Sequence, residues 1–325
     1  MMHKPPIGRW RLPKRCVVTI IAGFNCSDGV VVCADTQETT NNLSKKSIPK
    51  LRYEQGPYPN FETQQYEKAD FAAAFCGAGD NGPFIDKLID RAWEAVRDAS
   101  DLHMACNAAE VAIKEMYKEF GLIYQQGECP QVELIYGIKM EQQSRLFLAS
   151  GPVVNEKNGY ASSGIGYYIA DFIASRMYGA HLTTRQCVIL AAYILFHAKE
   201  HVEGCGGDSQ IAVLRNDESS GLVEWRLVKE ITEYLESADR YTGDILLATA
   251  NLATPQVELD EKIREIIETL TLFRNHHVKE IQNHREWEAQ YGIATMLGIN
   301  RPTDDLGLPV GPLTLLDSQT SEGPQ

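Results

Sequence analysis

Apolar and polar positions divide the first 225 residues into short β-type runs and longer helical stretches. Residues 17–24 are dominated by β-branched and apolar side chains and contain no proline, which predicts a buried strand. Asn25, Ser27, Asp28 and Gly29 carry turn chemistry, and residues 30–34 form a second apolar run that returns antiparallel. The polar stretch 36–46 predicts a loop, after which 47–53 re-enters the fold. A strand is predicted over 71–75 and helices over 82–99 and 101–120, where Phe84, Ile85, Leu88, Ile89 and Ala92 recur at helical spacing. Strands follow at 132–139 and 145–150, helices at 167–177 and 183–201, and strands at 210–214 and 222–225. Strands, two helices, strands, two helices and strands again predict an α+β domain of two stacked antiparallel sheets with helices on both outer faces.

Beyond residue 225 the pattern becomes helical. Residues 228–238 read as one helix, and Thr254-Pro255 as the cap and first position of a long one. Leu259, Ile263, Ile266, Ile267, Leu270 and Phe273 form a stripe that reads as docking on the chain's own core, with a neighbouring subunit as the alternative. His276, His277 and His284 lie among Arg274, Lys279 and Arg285 without a supporting cysteine, so they read as a polar helix face and no metal is expected. From Asn300 onward proline, glycine, serine and acidic residues predict a flexible tail. The organisation expected is an N-terminal extension or propeptide over 1–18, a main domain over 19–225, a helical extension over 226–299 and a tail over 300–325.

Composition narrows the setting. With 325 residues, 44% of them hydrophobic, the chain can bury a full core in one large domain. A net charge of −13 argues against nucleic acid as a partner. The longest apolar run, residues 187–196, is far too short to span a bilayer, and the basic N-terminus lacks the apolar centre of a secretory signal. Eight cysteines without a CxxC pair read as reduced thiols of a cytoplasmic protein.

The predicted hairpin places the chemistry. Thr19 starts one strand and Asp35 ends its partner, so an antiparallel pair with a short turn brings them to the same end of the sheet. Lys50, as the chain re-enters, can reach both. A threonine hydroxyl is a poor nucleophile and needs a base. Were the chain cut before Thr19, the new α-amine, with a reference pKa of about 7.7–8.0, would supply that base from the same residue. Lys50, held as an ammonium by Asp35, would favour the alkoxide-like form of Thr19. The backbone amide of Gly79, at a turn before a helix, is the candidate oxyanion donor. Each residue has a plainer reading: Thr19 as a strand residue, Asp35-Thr36 as turn chemistry, Lys50 as part of a solvated basic group. Cys16, an alternative nucleophile, lies three residues before Thr19 and so points to the other face of an extended strand.

Thr19, Ala22-Gly23, Asp28-Gly29, Ala34-Asp35-Thr36 and Lys50, followed by the Gly-rich turn after residue 71, give this chain a pattern that resembles the proteasome β-subunit family. That family belongs to the N-terminal-nucleophile hydrolases. The resemblance covers roughly residues 17–225, and a later turn opening a helix is echoed by Ser162-Ser163-Gly164. It implies a four-layer αββα sandwich and a threonine-type endopeptidase with Thr19, Asp35, Lys50 and Ser163 as catalytic residues. Substrate contacts are implied at Thr39, Gly77 and Gly79, with Gly77 leaving a roomy first specificity pocket. No cofactor is implied. The partners implied are polypeptide substrates, further copies or similar subunits in stacked rings, and a separate ATPase that feeds them, since the sequence carries no nucleotide-binding motif. Self-processing members carry glycine before the threonine, where this chain has Val18. The family also has an aspartate before a serine and glycines, where this chain offers Glu200 or Glu203 before Cys205-Gly206-Gly207. Activity therefore requires cleavage of the Val18–Thr19 bond. The alternatives are a non-catalytic subunit of the same fold with an uncut N-terminus, or an amidase acting on a small molecule.

Overall fold

A computed structural model describes residues 19–40, 44–56, 58–59, 66–67, 71–123, 129–216 and 220–296. The expectations for Cys16, for Val18 and the rest of the extension over 1–18, and for the tail from residue 300 lie outside the described residues. The chain divides into two compact units, residues 1–232 and 233–325.

In the first unit, strands β1 (Ile20–Cys26) and β2 (Gly29–Asp35) form the expected hairpin, which closes at Cys26 opposite Gly29. The stretch expected to be a loop instead contains a hairpin, β3 (Gln37–Thr40) with β4 (Ser44–Ser47). Next come β5 (Leu51–Gln55), the short pair β6 (Tyr58–Pro59) and β7 (Tyr66–Glu67), and β8 (Phe71–Gly79). Helices α1 (Gly82–Arg97) and α2 (Leu102–Ile123) are followed by β9 (Val132–Met140), β10 (Gln143–Ser150), β11 (Val153–Lys157) and β12 (Tyr160–Gly164). Helices α3 (Tyr167–Met177) and α4 (Thr184–His201) then lead to β13 (Ser209–Arg215) and β14 (Gly221–Leu222).

One sheet runs β12-β1-β2-β13-β14 and the other β11-β10-β9-β8-β5, every pairing antiparallel. Ile21, Val32 and Ala34 of the first sheet pack against Ala74, Cys76, Ile135 and Leu146 of the second. The outer face of the second sheet carries α1 and α2 through Phe75, Leu88, Trp93, Ile113 and Tyr136. Helices α3 and α4 lie on the first sheet, α4 mainly on β2 and β13. This is the expected αββα sandwich.

Local sequence sets the element ends. The Asn81 side chain accepts the Phe84 N–H at 3.1 Å and caps α1, and Thr183 with Gln186 forms a capping box on α4. Strands β11 and β12 are absent from the sequence-based expectation because VVNEK and YASSG carry no apolar run: they are edge strands that bury little. The expected strand 222–225 shrinks to Gly221–Leu222, since Trp225 already opens a helix, α5 (Trp225–Ala250). The boundary between units falls inside α5, whose first turns bury Val228 and Ile231. Helix α6 (Gln256–Met296) lies wholly in the second unit. Among the described residues, no helix is long and apolar enough to cross a membrane, and no group of histidine, cysteine and acidic residues is placed to hold a metal ion.

Candidate active site

The β1–β2 register sets Ile21 opposite Ala34, so the residues just beyond bring Thr19 beside Asp35 at one end of the first sheet. Both are buried, Thr19 at 2% exposure and Asp35 at 0%. Thr19 Oγ1 donates to Asp35 Oδ1 at 2.5 Å and accepts from Lys50 Nζ at 2.6 Å. Lys50 Nζ also donates to Asp35 Oδ1 at 2.8 Å and to the Gln37 carbonyl. Burial lowers the Lys50 pKa from 10.5, and the Asp35 carboxylate opposes that shift. The hydroxyl oxygen therefore sits between a carboxylate that holds its proton and a cation that faces its lone pair.

Asp35 is saturated with donors. Its Oδ1 also accepts the Ile20 N–H at 3.1 Å, and its Oδ2 the Gly206 N–H at 2.9 Å. Lys50 precedes β5 in the second sheet, and the Gln210 side chain fixes it there, Oε1 accepting the Lys50 and Leu51 N–H groups at 2.9 and 3.2 Å. Gln37, Gly206 and Gln210 are the parts of the site that sequence reasoning missed. Only Gly206 had a signal, in the Cys205-Gly206-Gly207 run.

Gly164 closes the site from β12. It has φ +88°, and a Cβ there would stand 2.2 Å from the Thr19 carbonyl oxygen. Gly164→Ala is therefore expected to push Thr19 off its partners and to lower stability by about 2 kcal/mol or more. Urea unfolding and activity measured on one preparation check this.

The structure does not bring Ser163 into the cluster. Ser163 stands opposite Ile21, and its hydroxyl donates to the Glu133 carboxylate, which also accepts from Ser150 at 3.1 Å. Thr39 lies in β3 opposite Lys45. Glu200 and Glu203 are both exposed, whereas the Gly206 N–H reaches Asp35 directly. Gly77 and Gly79 end β8. Phe71 turns its carbonyl toward β5, accepting the Gly56 N–H at 2.7 Å, so by strand alternation the Gly77 and Gly79 N–H groups point to the same side. There β5 has ended, its last pairing being Leu51 with Cys76, and the register places Gly77 across from Lys50 with Gly79 two residues farther on. The roomy pocket expected at Gly77 is not what this position provides: a Cβ there would stand 2.3 Å from Ile85 of α1, so the missing side chain makes room for the helix.

Cys205 is a further neighbour, buried at 5% exposure. Burial pushes its thiol up to about 12, Asp35 adding to the shift and Lys50 opposing it. It is a neutral thiol at neutral pH and no competitor to Thr19 as nucleophile.

No family model and no curated protein matches the chain. Solved structures do. Anbu from Yersinia bercovieri, described as an ancestral beta-subunit, aligns with a TM-score of 0.56 at 12% identity over 73% of this chain and 100% of its own. Anbu from Hyphomicrobium sp. strain MC1 aligns with a TM-score of 0.54 at 14% identity over 70% of this chain and 97% of its own. The helical assembly of the Anbu complex from Pseudomonas aeruginosa gives 0.56 at 12% identity, over 74% and 99%. At these identities the likeness establishes a shared fold.

Proposed function

We propose that this chain is a subunit of a proteasome-like assembly that hydrolyses peptide bonds with Thr19 as an N-terminal nucleophile, once the Val18–Thr19 bond is cut. The observation that carries the reading is the contact of one threonine oxygen with Asp35 and Lys50 at 2.5 and 2.6 Å. The shared fold with Anbu, an ancestral beta-subunit, supports it, and the helical assembly of the Pseudomonas aeruginosa protein supports an oligomeric setting.

In this mechanism the liberated α-amine of Thr19 takes the Oγ1 proton as Oγ1 attacks the peptide carbonyl carbon. The Lys50 ammonium stabilises the developing charge on Oγ1, and Asp35 keeps the ammonium in place. The N–H groups of Gly77 and Gly79, on one side of β8 near the end of its pairing with β5, are the candidate donors to the substrate oxyanion. Collapse of the tetrahedral intermediate expels the amine product, which takes the proton from the α-ammonium, and leaves an ester on Thr19. Water, deprotonated by the same amine, hydrolyses that ester. Substrates are unfolded polypeptides, delivered by a separate ATPase in the cytoplasm.

Intact mass and N-terminal sequencing of the purified protein, run beside a panel of fluorogenic peptides, test the reading. A mature chain that begins at Thr19 and cleaves peptides is the expected result. A chain that retains its first residues and hydrolyses nothing makes the protein a structural subunit instead.

A further inference from the structure

The second unit holds most of α5 and all of α6. Between 70 and 74% of this chain covers 96–100% of each similar solved structure. The first unit accounts for a like share, 232 of 325 residues, and the helical pair lies outside that unit. The Tyr234 and Phe273 rings lie 5.1 Å apart, which pairs the helices antiparallel about the connection at 251–255.

At 100° per residue, the half-buried Leu259, Ile266 and Phe273 share one side of α6, and Tyr234, Ala238, Tyr241 and Ile245 share one side of α5. These are the sides that meet. A quarter turn around α6, Ile263, Ile267 and Leu270 are 39, 57 and 49% exposed, and a quarter turn around α5 in the same sense, Leu246 is 65% exposed. Because the helices run antiparallel, rotation in the same sense brings Leu246 to the same face of the pair as the α6 stripe.

We propose that this face is a self-association surface, on which the same face of a second copy packs to close a four-helix bundle. A two-helix layer can bury only one stripe of each helix by itself, and a second identical layer covers the other. Residues 256–276 of α6 span about 30 Å, and two helices at ordinary packing distance make a layer about 20 Å wide. That is on the order of 600 Å² before side-chain relief is counted, close to the ~800 Å² each partner gives to a stable interface. Charge selects the orientation. Asp260 and Arg274 stand at equal distances on either side of Ile267 along the stripe. An antiparallel two-fold axis at Ile267 sets each Arg274 against the partner's Asp260, whereas a parallel arrangement sets like charges together. The pairing does not depend on Thr19 being catalytic.

The test uses the full chain. Ile267→Cys is oxidised with copper phenanthroline at micromolar concentration, beside the unsubstituted protein and Leu247→Cys, which lies on another side of α5. The expected result is an interchain 267–267 disulfide, located by mass spectrometry, in the first variant alone. Ile267→Glu is expected to halve the mass seen by sedimentation with helicity retained. Asp260→Arg and Arg274→Asp are each expected to weaken association at least tenfold, and the double variant to restore it. No crosslink above background with an unaltered mass for Ile267→Glu overturns the proposal. So does a disulfide from position 267 to a cysteine of the first unit, which would mean that the chain covers this face itself.

Discussion

Thr19→Ala is expected to lower kcat/KM for peptide hydrolysis by at least about 10³-fold while leaving the fold intact. The substitution removes the hydroxyl but keeps Asp35 bonded to Lys50, Ile20 N–H and Gly206 N–H, so the stability cost is about 1 kcal/mol. The pH profile then identifies the partners. Activity of the wild type is expected to rise as the Thr19 α-amine loses its proton, near about 7.7–8.0. It is expected to fall again at a pH below 10.5, because burial lowers the Lys50 pKa and the cation is lost earlier than in solution. Lys50→Arg keeps its charge beyond pH 12, so any activity it retains should lack the falling limb. Initial rates across pH 6–11 on one fluorogenic peptide check all three proteins. Activity that survives Thr19→Ala removes the mechanism.

Asp35→Ala is expected to cost about 3–5 kcal/mol and to abolish activity as well. Three donors besides Thr19 lose their acceptor at once: the Lys50 ammonium and the Ile20 and Gly206 N–H groups. The pH dependence carries a definite sign. Lys50 has a lowered pKa in the folded protein, so between that value and 10.5 the unfolded chain binds more protons, and stability rises with pH. Removing Asp35 takes away the group that opposes the lowering, so the window widens toward lower pH. Urea unfolding of Asp35→Ala should therefore show stability recovering steeply toward pH 10, by more than the wild type gains over the same range.

The core of this site was legible because it depends on short-range register. A two-residue turn fixes Cys26 opposite Gly29, and counting back along both strands puts Thr19 beside Asp35 without knowledge of the rest of the fold. Lys50 was legible from its residue type and its place at the re-entry of the chain. Gln210 was not: it is 160 residues away, and nothing in a polar residue at the start of a strand announces that its amide oxygen will hold two backbone N–H groups. The environment of Ser163 was missed for a related reason. Ser162-Ser163-Gly164 read as a turn into a helix, whereas they belong to the edge strand β12, whose alternation aims the Ser163 hydroxyl at Glu133.

Lys50 enters the second sheet, whereas Thr19 and Asp35 belong to the first sheet's end, so its two contacts with them form a latch across the seam of the sandwich. Any shear of one sheet over the other moves the cation away from the oxygen it faces, and a misplacement of about 1 Å is enough to cost on the order of 10²-fold in rate. Catalytic competence in such a design is a gauge of inter-sheet alignment. Mutations buried between the sheets, far from Thr19, can silence the chain without unfolding it.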